Sequence, residues 1–264
     1  MKKTSQKPKS ILITGASSGI GAALAIHYAR PGISLFLSGR DRSRLTDVAT
    51  LCRQRGSDVT EGIIDVRDRA SMKNWVDLCD HHCLLDLVIA NAGISGGTGN
   101  GGESGNQVRE IFEINVNGVF NTIDPAITHM LERGRGQVGI VSSLASFTGW
   151  PGAPAYAASK AAIRVYGEAL RGRLYHKGVM VNVICPGFIE TPMTATNDYP
   201  MPFMISAEAA AKHIALGLAA DRARIAFPYF AYMVSGFIGL VPPALTTKIL
   251  SKCPEKSART HPSG

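Results

Sequence analysis

The 264-residue chain has few of the features that would assign it to a specialised class. Its five cysteines, Cys52, Cys79, Cys83, Cys185 and Cys253, are odd in number and scattered, which excludes a disulfide-stapled secreted scaffold. No apolar leader precedes the first strand-like run, and with the thiols this predicts a protein of the reducing cytoplasm. Acidic residues are scarce, 20 against 28 lysines and arginines, but the excess of cations collects in 1–9 and 252–264 without interleaved aromatics. Nucleic acid is therefore not an expected partner. Long apolar runs are also missing: 225–247 carries no charge, yet Pro228, Pro242 and Pro243 interrupt it. There is no internal repeat.

Strand-like runs at 10–14, 34–38, 59–64, 84–90, 137–142 and 179–184 are short, nearly uncharged and rich in Val, Ile or Leu, as strands covered on both faces are. Amphipathic segments at 21–30, 42–55, 70–82, 108–133 and 155–176 lie between them. The alternation predicts an α/β protein with one doubly wound, Rossmann-type domain and a parallel sheet of about seven strands, the seventh at 223–227. The domain is expected to span 10–250 between a flexible basic start, 1–9, and a flexible tail, 251–264. Two stretches break the rhythm: a glycine-crowded loop at 93–105 and a Pro, Met and aromatic segment at 188–205 that reads as a lid.

The first strand runs directly into TGASSGIG and then into a helix. Gly15, Gly19 and Gly21 allow a tight turn and close approach of a pyrophosphate, while the amides from Ser17, Ser18 and Ile20 sit where a helix start attracts anions. The second strand ends in SGRDR. A ribose with a free 2'-hydroxyl wants an acid there; Gly39 cannot accept a hydrogen bond and Arg40 can grip a phosphate, so NADP is expected over NAD.

Tyr156 and Lys160 stand four apart in AYAASKAA, on one face of the predicted helix. A fixed ammonium beside the phenol, together with a cationic oxidised nicotinamide, is expected to favour the phenolate and make Tyr156 usable as acid and base. The small residues around them let such a helix pack tightly against a sheet.

With these motifs the chain resembles a short-chain dehydrogenase/reductase from residue 10 to about 227. The further pieces, in order, are Asp65 and Val66, the NAG of Asn91, Ala92 and Gly93, the NVNG beginning at Asn115, the serine pair ending at Ser143, YAASK from Tyr156 to Lys160, and Pro186 and Gly187 followed by Thr191. The resemblance implies that Ser143 holds the substrate oxygen and Tyr156 transfers its proton. It implies that Lys160 binds the nicotinamide ribose and Asn115 holds a relay water. It further implies that Asp65 and Val66 meet adenine, that Asn91 to Gly93 line the ribose region, and that the backbone around Ile189 with Thr191 fixes the carboxamide. The implied activity is NADP-dependent interconversion of a carbonyl and an alcohol in a homodimer or homotetramer. The competing reading is a catalytically silent NADP-binding regulatory or scaffolding protein.

Met193, Tyr199, Met201, Phe203 and Met204 could cover an apolar substrate or merely pack a short helix. For the hydrophobic segment 228–250, core or subunit contact ranks first, peripheral membrane attachment second and a true span last. CDHHC, residues 79–83, offers metal-ligand chemistry at the wrong spacing for a helix, since 81 points away from 79 and 83; no metal is expected. His27, His129, His176 and His213 have no evident partner and read as helix-surface residues.

Overall fold

Successive side chains of a strand point to opposite faces, so an apolar strand must be covered on both. In the computed structural model, which describes residues 7–99, 102–197 and 199–251, the first strand does this directly. Ile11 and Ile13 enter one hydrophobic core and Leu12 the other, all fully buried.

The chain runs β1 (Ser10–Thr14), α1 (Gly19–Tyr28), β2 (Ser34–Gly39), α2 (Arg42–Gln54), β3 (Asp58–Ile63), α3 (Arg69–His82) and β4 (Leu87–Ala90). It continues through α4 (Gly105–Phe112), a π-helical turn (Glu113–Asn117), α5 (Gly118–Glu132), β5 (Gly136–Val141), a 3-10 turn (Leu144–Phe147), α6 (Pro154–Leu174) and β6 (Val179–Pro186). The last part contains β7 (Ile189–Glu190), α7 (Pro192–Ala195), β8 (Ile205–Ser206), α8 (Ala207–Ala219), β9 (Arg224–Phe227), α9 (Tyr229–Leu240) and α10 (Pro243–Leu250). Seven strands form a parallel sheet in the order β3-β2-β1-β4-β5-β6-β9, and β7 pairs with β8 beside it. The order reverses between β1 and β4, which opens a crevice at the carboxyl ends of those strands.

Most expected elements appear within a few residues of their predicted bounds, the seventh strand included. The strand expected at 84–90 begins later, at Leu87, because Asp86 is engaged in a polar tie: its carboxylate accepts from the Lys9 amide at 2.9 Å and its amide donates to Ser10 Oγ at 3.0 Å. The helix expected at 108–133 is broken by the π-helical turn, in which Asn115 is buried. The stretch after β9 folds as two helices, α9 and α10.

The expectations for 1–6 and 252–264, Cys253 among them, lie outside the described residues, as do 100–101 of the glycine-crowded loop and 198 of the lid.

Candidate active site

At the end of β1 the backbone must approach a neighbouring loop more closely than a side chain permits. Gly15 has φ +65, and a Cβ there would lie 2.8 Å from Ala92 Cα; a Cβ on Gly21 would run into the Gly15 carbonyl. The loop is held by Asn91, whose Nδ2 donates to the carbonyls of Thr14 at 2.9 Å and Gly15 at 3.2 Å. Thr14 Oγ1 in turn accepts from the Asn91 and Ala92 amides, both at 3.1 Å. A tight glycine turn, ending in the uncapped start of α1 at Ser18, fits a pyrophosphate.

The cradle opens into a cavity of about 750 Å³. Its lining includes Gly15, Ser17, Ser18, Gly19, Ile20, Arg40, Asp65, Val66, Asn91, Ala92, Gly93, Ser143, Tyr156, Lys160, Pro186, Gly187, Ile189 and Thr191. Of the expected site residues, Gly21 and Asn115 lie behind the wall. Gly21 shapes the turn from behind. Asn115 is a latch: its Oδ1 accepts from the Ile94 amide at 2.8 Å, and its Nδ2 donates to the Ile94 carbonyl at 2.9 Å and to Ser159 Oγ at 3.0 Å. Both amide hydrogens are therefore used by the protein, and one lone pair of Oδ1 is left over. A Cβ on Gly93 would sit 3.2 Å from both Asn115 Oδ1 and Lys160 Nζ, so that glycine makes the room between them.

Helix α6 packs close to the sheet because its inner face is small: a Cβ on Gly167 would come within 2.7 Å of Val183. Its start is capped from outside by Glu103, whose carboxylate accepts from the Ala155 amide at 2.9 Å. The end of β5 stitches onto the same helix, with Ser142 Oγ donating to the Lys160 carbonyl at 2.7 Å and Lys160 Nζ donating to the Val141 carbonyl at 2.9 Å. Ser143 Oγ accepts from the Ala145 amide at 3.1 Å and hydrogen-bonds the Tyr156 hydroxyl. Serine, phenol and ammonium thus converge.

The electrostatics differ from the expectation of an acidified phenol. Burial pushes Tyr156 above the ordinary tyrosine value, and the Ser143 hydrogen bond opposes it. The Lys160 ammonium donates to the Val141 carbonyl and lies 5.9 Å from the Tyr156 ring centroid. Burial also lowers Lys160 from 10.5 to about 8. Burial therefore favours the neutral phenol at Tyr156.

After β2, Asp41 caps α2, accepting from the Arg44 amide at 3.0 Å and Arg44 Nε at 2.6 Å, and these bonds hold its carboxyl below the usual range. Arg40 is exposed at the rim, and its charge helps to lower Asp65.

Several lining residues escaped the sequence reading, among them Leu144, Trp150, Phe230, Ala231 and Val234. The last three come from α9, and 230, 231 and 234 fall on one helical face; that spacing was the available signal. Two histidines read as unpartnered have partners: His129 Nε2 meets Asp77 Oδ1 at 2.8 Å, and the His213 ring stacks on Phe227 at 5.2 Å between centroids. Those partners are 52 and 14 residues away, beyond any local pattern.

The model of the short chain dehydrogenase family matches residues 9–200. An uncharacterized oxidoreductase of Myxococcus xanthus is 37% identical over 84% of this chain and 88% of its own. Among solved structures, a 3-ketoacyl-ACP reductase from Sinorhizobium meliloti superposes with a TM-score of 0.74 at 29% identity, covering 85% of this chain and 99% of that one. A short chain dehydrogenase from Mycobacterium paratuberculosis bound to NAD shares the fold, with a TM-score of 0.76 at 23% identity over 85% of this chain and 98% of that one.

Proposed function

The chain belongs to the short chain dehydrogenase family and is an oxidoreductase of it, and from that premise we propose that it is an NADP-preferring, Tyr-x-x-x-Lys carbonyl reductase or alcohol dehydrogenase acting on a bulky apolar substrate. The convergence of Ser143, Tyr156 and Lys160 in the same crevice as the glycine turn is the observation that carries this reading.

The residues fit a dinucleotide. Ser17, Ser18, Gly19 and Ile20 would hold its pyrophosphate, Asp65 and Val66 its adenine, Lys160 and Asn91 to Gly93 its ribose, and Ile189 and Thr191 its carboxamide. A bound nicotinamide supplies or accepts a hydride at ring carbon. The protein's part is the oxygen of the substrate. Ser143 Oγ holds it, and the Tyr156 hydroxyl passes its proton to it during reduction. Burial keeps that phenol protonated at neutral pH, which suits a proton donor. Lys160 places a cation behind the phenolate as it forms. Asn115 ties the Ile94 loop to α6 and so fixes the spacing of the group.

The NADP preference rests on Arg40, because position 39 carries no acid and Asp41 is committed to its helix. NADPH is expected to be turned over faster than NADH, and Arg40→Ala to reduce the ratio of kcat/KM values about tenfold, the worth of one charge-assisted hydrogen bond. A clear NADH preference in the wild type would defeat the assignment.

The apolar substrate rests on Leu144, Trp150, Phe188, Phe203 and Val234, which line the end of the cavity beyond Tyr156. NADPH oxidation with a panel of aliphatic, aromatic and lipid-derived ketones tests the function. Tight NADPH binding without turnover of any of them would favour a silent binding module. The reading extends to a cytoplasmic homodimer or homotetramer joined through the outer faces of α5 and α6, where Val165 and Tyr166 are exposed.

A further inference from the structure

Helix α9 has two unlike faces. The inner face is anchored: the Tyr232 ring packs against Phe147 at 5.5 Å between centroids, and Arg224 donates to its hydroxyl at 3.0 Å. The outer face carries Phe230, Met233, Val234 and Phe237, spaced as one helical stripe, with Leu240 a turn beyond, and all five are exposed. Phe237 is 69% and Leu240 84% accessible, values at which large apolar side chains form a patch and not a margin of the core. The patch continues onto the lid, where Phe203 meets Phe230 at 5.3 Å between ring centroids. Phe203, Phe230 and Val234 also line the cavity, so the patch surrounds its mouth.

We infer that α9 and α10 form an interfacial helical pair that sets the mouth of the cavity on an anionic lipid surface, from which an apolar carbonyl substrate enters. Two features choose a bilayer over a second copy of the chain. The first is charge. Lys248 is exposed one turn after the exposed Leu245, and from there to the end of the chain the sequence has four cations, Lys248, Lys252, Lys256 and Arg259, against one acidic side chain, Glu255. A second copy would bring the same excess of positive charge, whereas anionic headgroups complement it. The second is access. A protein partner on this face would close the mouth, while a lipid surface supplies apolar ligands to it. Spanning is excluded for these helices: no helix among the described residues is long and apolar enough to cross a membrane, and α9, at 12 residues, suits an in-plane position.

The substrate half of this inference rests on the oxidoreductase reading; the docking half does not. The full chain is expected to float with vesicles of mixed phosphatidylglycerol and phosphatidylcholine, and less with phosphatidylcholine alone. Phe237→Glu combined with Leu240→Glu alters two exposed side chains that do not line the cavity. It should lower the bound fraction about tenfold or more, leaving turnover of a small water-soluble ketone unchanged. Lys248→Glu, on a separate helix, should weaken binding to the anionic vesicles alone. Circular dichroism checks that both variants are folded. Absence of flotation with anionic vesicles, or flotation that the double substitution leaves intact, overturns the proposal. So does a fall in particle mass by light scattering when Phe237 and Leu240 are replaced, which would assign the face to a second copy. Flotation that depends on Phe237, Leu240 and Lys248 in a protein that reduces no ketone would uphold docking and refute the carbonyl-reductase reading instead.

Discussion

Tyr156→Phe is expected to lower kcat for ketone reduction by about 10² to 10⁴, the range attributed to a well-placed general acid, while NADPH binding measured by fluorescence stays within about twofold of wild type. The ring that lines the cavity is retained and only the oxygen is removed. That oxygen is hydrogen-bonded to Ser143, which keeps its Ala145 amide contact and its weak 3.5 Å approach to the Pro186 carbonyl when the phenol is gone. Folding should be little affected, since the lost hydrogen bond is worth about 1 kcal/mol. A variant with kcat within a few-fold of wild type would remove Tyr156 from the chemistry. The pH profile carries a second check. Reduction consumes the phenolic proton, so it should persist through neutral pH and fail only on the alkaline side. Oxidation of the alcohol requires the proton to be absent and should rise with pH over the same interval.

The fold was legible because each strand is an apolar run and each crossover an amphipathic one, so periodicity alone placed nearly every element. The cradle was legible too, since Gly15 and Gly21 are required by a close approach that nothing but glycine permits. What escaped was nonlocal. The π-helical turn around Asn115 exists because that side chain is drawn inward to Ile94 and Ser159, 21 and 44 residues away, and the apolar spacing of 108–133 is compatible with an unbroken helix. Glu103 as a cap on α6 is a contact across 52 residues from a loop whose composition suggested only looseness. The surroundings of Tyr156 were hidden for a related reason. Sequence spacing brings a lysine to the same helical face, but it does not show that the ammonium turns toward Val141 or that burial outweighs it.

Lys160 gives the remaining large effect, and it separates stability from activity. The residue is 4% exposed and its pKa is lowered by burial from 10.5 to about 8, so the folded protein binds that proton more weakly than the unfolded chain does. Below about 8 both states are protonated and the desolvation cost is present in full. Between about 8 and 10.5 the unfolded chain still holds the proton and the folded protein releases it, so this group makes stability rise with pH across that window. The shift corresponds to on the order of 3 kcal/mol. Lys160→Met should therefore unfold at a higher temperature than wild type at pH 7, by an amount reduced by loss of the Val141 hydrogen bond, and the advantage should shrink as pH is raised to 10. Comparing the two proteins isolates the lysine, because burial raises the thiols of Cys52, Cys79 and Cys185, which lose stability as pH rises above 9 in both. Turnover should nevertheless fall by about 10² or more in the variant, since the forming phenolate loses its cation. A variant less stable than wild type at pH 7, or a stability difference that stays flat from pH 8 to 10, would mean that the ammonium is not held against its solvation in the folded crevice. Higher stability with lost turnover would show that the protein tolerates a costly buried charge there for the sake of the reaction.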